Sequence, residues 1–161
     1  MILLNWWLYD KDIPMSTFRL RLLDSDQDYQ AGFSVMRELR PHLADAATFA
    51  AQARRQGEQG YRLLAAWQGS EVKGLAGYRL QENLIYGRFL YVDDLVVTAD
   101  ARRHGVGGQL IEAAREEARR QGCAHFVLDT GLGNALGQRF YFRQGLLAKG
   151  MHFCQPLAAR A

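Results

Sequence analysis

Two features of this sequence have residue types and spacing that could do chemistry. The first is Arg102-x-x-Gly105-x-Gly107-Gly108, a glycine-rich turn that enters a segment with helical apolar spacing. The N–H groups that open a helix have no carbonyl one turn back, and the helix dipole adds positive potential at that end. Such an end binds phosphate, so the turn points to a phosphate-bearing ligand. The second is the pair Asp93-Asp94, set inside the apolar run FLYVDDLVV. Carboxylates within a sheet are costly unless paired, hydrated or used. Successive strand residues point to opposite faces, so only one of the two can look into a given cleft. By that parity Asp93 shares a face with Leu95 and Val97, and Asp94 shares one with Val96.

Two familiar phosphate motifs fail here. A Walker A loop needs Gly-x-x-x-x-Gly-Lys-Ser/Thr, and neither lysine nor hydroxyl follows Gly108. A dinucleotide fingerprint needs Gly-x-Gly-x-x-Gly, and Gly105-Val106-Gly107-Gly108-Gln109-Leu110 lacks the third glycine. Cys123 and Cys154 have no metal-ligand spacing and cannot build a disulfide framework. They are expected to be buried thiols in a reducing cytoplasm.

The elements that must position these residues follow from periodicity and breakers. The phosphate turn spans 98–108, between a strand over 87–97 and a helix over 109–121, with Leu110, Ile111, Ala114 and Ala118 on one face and Gly122 as its stop. Upstream lies a strand over 17–23. Ser25 and Asp26 can cap a helix over 27–39, ended by Pro41, and a second helix covers 44–56. Strands over 61–68 and 71–80 are joined by Gly69-Ser70. A strand over 123–130 follows the long helix, and the segment 146–157, LLAKGMHFCQPL, is expected to be a closing strand.

At 161 residues and 48% apolar, the chain has material for one domain with a real core. Its formal charge is +3, and lysine occurs only at Lys11, Lys73 and Lys149. That balance lacks the dense basic patch of a nucleic-acid binder, so no nucleic-acid partner is expected. The first 14 residues, MILLNWWLYDKDIP, differ in character from the rest. Their apolar run is too short to span a bilayer, and no basic region or cleavage site marks a signal peptide, so no membrane partner is expected. Met15 precedes the first domain-like strand, which suggests an upstream extension over 1–14 and a single domain over 15–161.

Arg-x-x-Gly-x-Gly after a strand resembles the acetyl-CoA loop of the GCN5-related N-acetyltransferase (GNAT) superfamily, whose signature is Gln/Arg-x-x-Gly-x-Gly/Ala. Downstream, Asn134 leads through Phe140-Tyr141 to Gly145-Leu146, similar to the family's Asn-x-x-Ala-x-x-Phe-Tyr…Gly-Phe block. Gly137 stands where alanine is usual and Leu146 where phenylalanine is usual. The likeness is strong over 95–156 and rests on element order alone over 17–90. It implies an α/β fold with a mixed, mostly antiparallel central sheet flanked by helices, in the order β-α-α-β-β-β-α-β-α-β.

The resemblance implies acetyl-CoA as co-substrate, no metal, and direct transfer of acetyl to a primary amine of a small molecule or peptide. Asp93 would take the amine proton, with Asp94 as the alternative, and Tyr141 would protonate the departing sulfur. Pantetheine would pair with the backbone of Leu95, Val96 and Val97. Pyrophosphate would lie on the N–H groups of Arg103, His104, Gly105, Val106, Gly107 and Gly108, with Arg102 bracing the loop or reaching a phosphate. Asn134 would bond the cofactor near its thiol end. Phe140 and Phe142 are expected in the core, and Asp129 is expected to be structural. His152 and Phe153 have two readings, pocket lining or core. Arg37, Arg40 and His42, if they face the cleft, would favour an acidic acceptor. Dimers are common in the family. The alternative function is an acyl-CoA sensor without catalysis.

Overall fold

A computed structural model describes residues 18–157; the segment 1–14 lies outside the described residues. The elements run β1 (Arg19–Leu22), α1 (Asp26–Leu39), α2 (Ala46–Gly57), β2 (Arg62–Gln68), β3 (Glu71–Asn83), β4 (Gly87–Val97), α3 (Val106–Arg120), β5 (His125–Leu128) and α4 (Ala135–Arg143). One sheet holds all five strands in sequence order. The first four pair antiparallel, β1 to β2 by way of α1 and α2 and the others through short turns, whereas β5 pairs parallel to β4 because α3 carries the chain back across the sheet. The mixed, mostly antiparallel α/β sheet expected from the sequence is therefore present.

Local signals explain the entry to each of the first two helices. Ser25 Oγ accepts the Asp28 N–H at 3.2 Å, and Asp28 reaches back to the Ser25 N–H, a reciprocal cap for α1. Both terminal guanidinium nitrogens of Arg21 also donate to Asp28, at 2.6 and 2.7 Å, tying β1 to α1. That guanidinium holds the Asp28 carboxyl well below the usual carboxylate range. Asp45 caps α2 through the Thr48 N–H at 2.7 Å.

The sheet has a core on each side. Val35 and Met36 of α1 and Phe49 and Ala53 of α2 pack on Leu63, Leu75 and Val96. On the other side α3 places Val106 and Leu110 against Ala66 and Ala76, and Ala114 and Ala118 against Leu90 and Val92. Leu75, Leu90 and Leu110 are fully buried, each burial being worth roughly 1.5–3 kcal/mol. Strands β2, β3 and β4 are thus packed on both faces, with β3 in the middle of the sheet.

The C-terminal third departs from expectation. The segment 146–157 forms no strand, and Leu147, Met151, Phe153 and Leu157 are exposed. Alternating apolar residues favour a strand, but Gly150 weakens it and Pro156 cannot donate to a ladder. Phe142, expected in the core, is 55% exposed, and no residue of α4 is buried. Of the two cysteines expected to be buried, Cys123 is only partly buried, beside the α3 core, and Cys154 is exposed. No helix among the described residues is long and apolar enough to cross a membrane.

Candidate active site

The register of β3 and β4 slips where the two carboxylates lie. Gly77 pairs with Asp94 and Tyr78 with Val92, so Asp93 is an extra residue in β4, a β-bulge. A bulge resets the alternation of faces, and the parity expected from the sequence does not hold across it. Leu90 and Val92 before the bulge, and Leu95 and Val97 after it, all pack on the α3 side. Asp93 and Asp94 both join polar groups on the α1–α2 side.

Those groups hold the two carboxylates differently. Asp94 is fully engaged: Tyr61 Oη donates to Oδ2 at 2.6 Å, and Arg40 Nε donates to Oδ1 at 2.8 Å. Burial, and then the charge of Asp94, push the Tyr61 hydroxyl well above its ordinary pKa, so it stays a donor. The approach is so close that a Cβ on Gly77 would lie 2.1 Å from the Tyr61 hydroxyl, which excludes any other residue there. Asp93 is half engaged. Arg79 Nε donates to its Oδ2 at 2.9 Å, and Oδ1 has no partner among the described residues. Partial burial raises the Asp93 carboxyl pKa, and Arg79 opposes the rise.

Beyond the bulge, β4 has a free edge. Strand β5 pairs only with Phe89 to Val92, which leaves Asp93 to Val97 without a strand partner on that side among the described residues. The Thr98 N–H bonds the Lys73 carbonyl, across to β3. The Val96 carbonyl also points that way, lying 3.1 Å from where a Cβ of Gly74 would sit. Alternation then turns the peptide groups of Leu95 and Val97 outward. Two arginines occupy the carbonyls at the ends of this edge. Arg40 Nη2 donates to the Asp93 carbonyl at 3.1 Å, and Arg102 Nε donates to that of Val97 at 3.1 Å. Among the described residues the Leu95 N–H and C=O and the Val97 N–H stay open, whereas the peptide groups of Val96 are spent on β3.

The glycine turn lies just past this edge. Helix α3 begins at Val106, three residues before the expected Gln109, because Gly107 and Gly108 are helical and the turn ends at Gly105. Gly105 takes φ 80°, a left-handed conformation that favours glycine, and no side chain caps the helix. The first backbone bond of α3 is Gln109 N–H to Gly105 carbonyl, so the N–H groups of Val106, Gly107 and Gly108 have no carbonyl one turn back. Arg103 also sits left-handed, at φ 67°, and His104 is exposed. Arg102 braces the loop, lying 3.7 Å from Glu38 besides bonding Val97.

Helix α4 carries the remaining expected residues. The Asn134 side chain caps α4 through the Gly137 N–H at 3.0 Å and donates to Thr130 Oγ1 at 3.1 Å. A Cβ at position 137 would lie 2.5 Å from the Asn134 amide nitrogen, so alanine there would require that side chain to shift. Phe140 reaches α3 beside Gly107. Tyr141 stacks edge-on against Phe140, its hydroxyl has no partner among the described residues, and burial raises its pKa. No hydrogen bond links it to either aspartate.

Tyr61, Arg79 and Tyr91 are site residues that the sequence reading missed. An arginine inside a predicted strand, near the hairpin partner of an aspartate, was the available signal for Arg79. Tyr91 donates to Asp129, and His152 Nδ1 lies 2.9 Å from the same carboxylate, so Asp129 joins β4, β5 and the C-terminal segment. Phe153 is exposed. His42 is exposed, and the Arg37 guanidinium lies 5.9 Å over the Phe33 ring. No group of three His, Cys, Asp or Glu among the described residues could hold a metal ion.

Both the sequence and the fold have counterparts among known proteins. An uncharacterized N-acetyltransferase of Bacillus subtilis, YhdJ, is 27% identical over 140 residues, 86% of this chain and 98% of that one. The aminoalkylphosphonate N-acetyltransferase of Salmonella typhimurium is 32% identical over 98 residues, 60% of this chain and 62% of that one. Aminoglycoside N-acetyltransferase AAC(6')-Iy, solved in complex with CoA, shares the fold with a TM-score of 0.77 at 17% identity, over 88% of this chain and 95% of that one. The family model described as "Acetyltransferase (GNAT) family" matches residues 21–146. With most of its length under that match, the chain belongs to the GNAT family and is an N-acetyltransferase.

Proposed function

We propose that the protein transfers acetyl from acetyl-CoA directly to a primary amine, with Asp93 as the general base. The observation that carries this reading is the bulge. It sets a carboxylate with one free oxygen at the start of the only β4 segment whose outer edge is unpaired among the described residues.

The residues fit the cofactor at two places. The outward peptide groups of Leu95 and Val97 can pair with an amide-bearing pantetheine arm, as an added strand would. The N–H groups of Val106, Gly107 and Gly108 suit a pyrophosphate. Bound acetyl-CoA supplies the activated thioester; everything else is done by this chain. The Leu95 or Val97 N–H polarises the carbonyl, a preorganised donor needing no reorganisation. As the amine nitrogen bonds to the carbonyl carbon, Asp93 Oδ1 takes its proton. As the C–S bond breaks, the Tyr141 hydroxyl gives its proton to the sulfur. Asp94 serves as a strut, because both of its oxygens are already occupied. Asn134 acts first as the cap of α4 and so places Tyr141.

The acceptor is read as a small-molecule or peptide amine. The idea of an acidic acceptor loses its main support, because Arg40 is spent on Asp94 and the Asp93 carbonyl. The relatives named above act on an aminoalkylphosphonate and on aminoglycosides, both small amines. Release of free thiol from acetyl-CoA, measured over a panel of primary amines, tests the reading. Turnover with at least one amine, lost in Asp93→Asn, is expected. Wild-type turnover in Asp93→Asn would overturn Asp93 as the base.

A further inference from the structure

We propose that Arg79 is a positioning residue for acetyl transfer: it fixes Oδ2 of Asp93, leaving Oδ1 as the proton acceptor, and is itself held from α2 by Gln56. This inference rests on the reading of Asp93 as the base.

Its geometry is specific. Arg79 lies on β3, with only 20% of its side chain exposed, and Asp93 is similarly shielded at 24%. The guanidinium has three anchors. Nε donates to Asp93, Nη2 donates to Gln56 Oε1 at 3.1 Å, and the plane lies 5.3 Å over the Tyr61 ring. A guanidinium held on a ring face and by an amide has little rotational freedom left, so its bond to Asp93 is directional. Gln56 belongs to the last turn of α2, so the position of the base is linked to the helix pair on this side of the sheet.

The groups facing Asp93 have separable roles. Arg79 from β3 favours the ionised carboxylate, as does Arg40 at the end of α1 more weakly. Asp94 beside it on β4 opposes ionisation, as does burial. Tyr61 at the start of β2 and Tyr91 on β4 feel its charge in turn. Removing the Arg79 cation leaves burial and Asp94 opposed only weakly by Arg40, so the Asp93 pKa must rise.

The test is a titration of the free protein labelled with 13Cγ aspartate, with the Asp93 signal assigned by Asp93→Asn. An opposite charge at this range lowers a carboxyl by about 1–3 pH units. Arg79→Gln should therefore move the Asp93 midpoint upward by about one unit or more, and Arg79→Lys should restore part of it. Gln56→Ala, which keeps the backbone bond from the Tyr61 N–H to the residue 56 carbonyl, should move it the same way by less. A purely structural salt bridge would move the same midpoint but leave the acidic limb of the kcat pH profile, read by thiol release, where it is in the wild type, and that result overturns the proposal. Loss of the base reading looks different: Asp93→Asn would then turn over acetyl-CoA like the wild type, whatever the titration shows.

Discussion

The two halves of β4 have the same strand conformation and opposite uses. From Gly87 to Val92 the strand lies between β3 and β5 for most of its length, and Leu90 is fully buried beneath α3. From Asp93 to Val97 it pairs on one side only, and its outer edge carries open peptide groups between two arginine-held carbonyls. The bulge at Asp93 is the boundary. Bulges end or redirect pairing and re-aim side chains, and here both effects fall on one residue. The first half stabilises the fold; the second presents an unsatisfied edge of the kind that proteins otherwise cover or blunt.

Substitutions in each half should separate these uses. Asp93→Asn, at the boundary, should reduce kcat about 10²–10⁴-fold, the usual worth of a general base, with acetyl-CoA binding retained. Thiol-release kinetics would show it. Leu90→Ala in the paired half should cost about 2–5 kcal/mol of stability in urea unfolding, yet leave the affinity for acetyl-CoA near wild type. A large loss of affinity there would erase the contrast between the halves. Gly107→Glu, past the free half, sets a carboxylate where pyrophosphate is expected. At acetyl-CoA 100 times its dissociation constant the wild type should gain about 2.7 kcal/mol, seen as a raised thermal midpoint. The variant should show none of that gain. Tyr91→Phe removes only the bond to Asp129 and should change stability by about 1 kcal/mol, with cofactor binding unaltered.

The sequence announced this contrast only in part. The order of helices and strands, the glycine turn and the oddity of Asp93-Asp94 all follow from short-range signals. Parity failed because it assumes a strict alternation, and one inserted residue reverses every face beyond it. No local pattern marks that insertion; the clue is Gly77 on the partner strand, where Tyr61 and Asp94 leave no room for a Cβ. The start of α3 was misplaced for a related reason. Gly107 and Gly108 read as loop by propensity, but Gly105 takes the left-handed φ and the next two glycines simply continue as helix. Residues 146–157 show the opposite failure, a strand-like alternation that forms no strand because strand formation needs a paired edge as well as a pattern.

The most direct test of the free half is residue-resolved amide exchange by NMR, with and without acetyl-CoA. If the cofactor lies along this edge, exchange at Leu95 and Val97 and at Val106, Gly107 and Gly108 should slow on binding. Val96, already bonded to β3, and residues 88–92 should not change. Equal protection along the whole of β4, or none at Leu95 and Val97 despite saturating acetyl-CoA, would contradict the account.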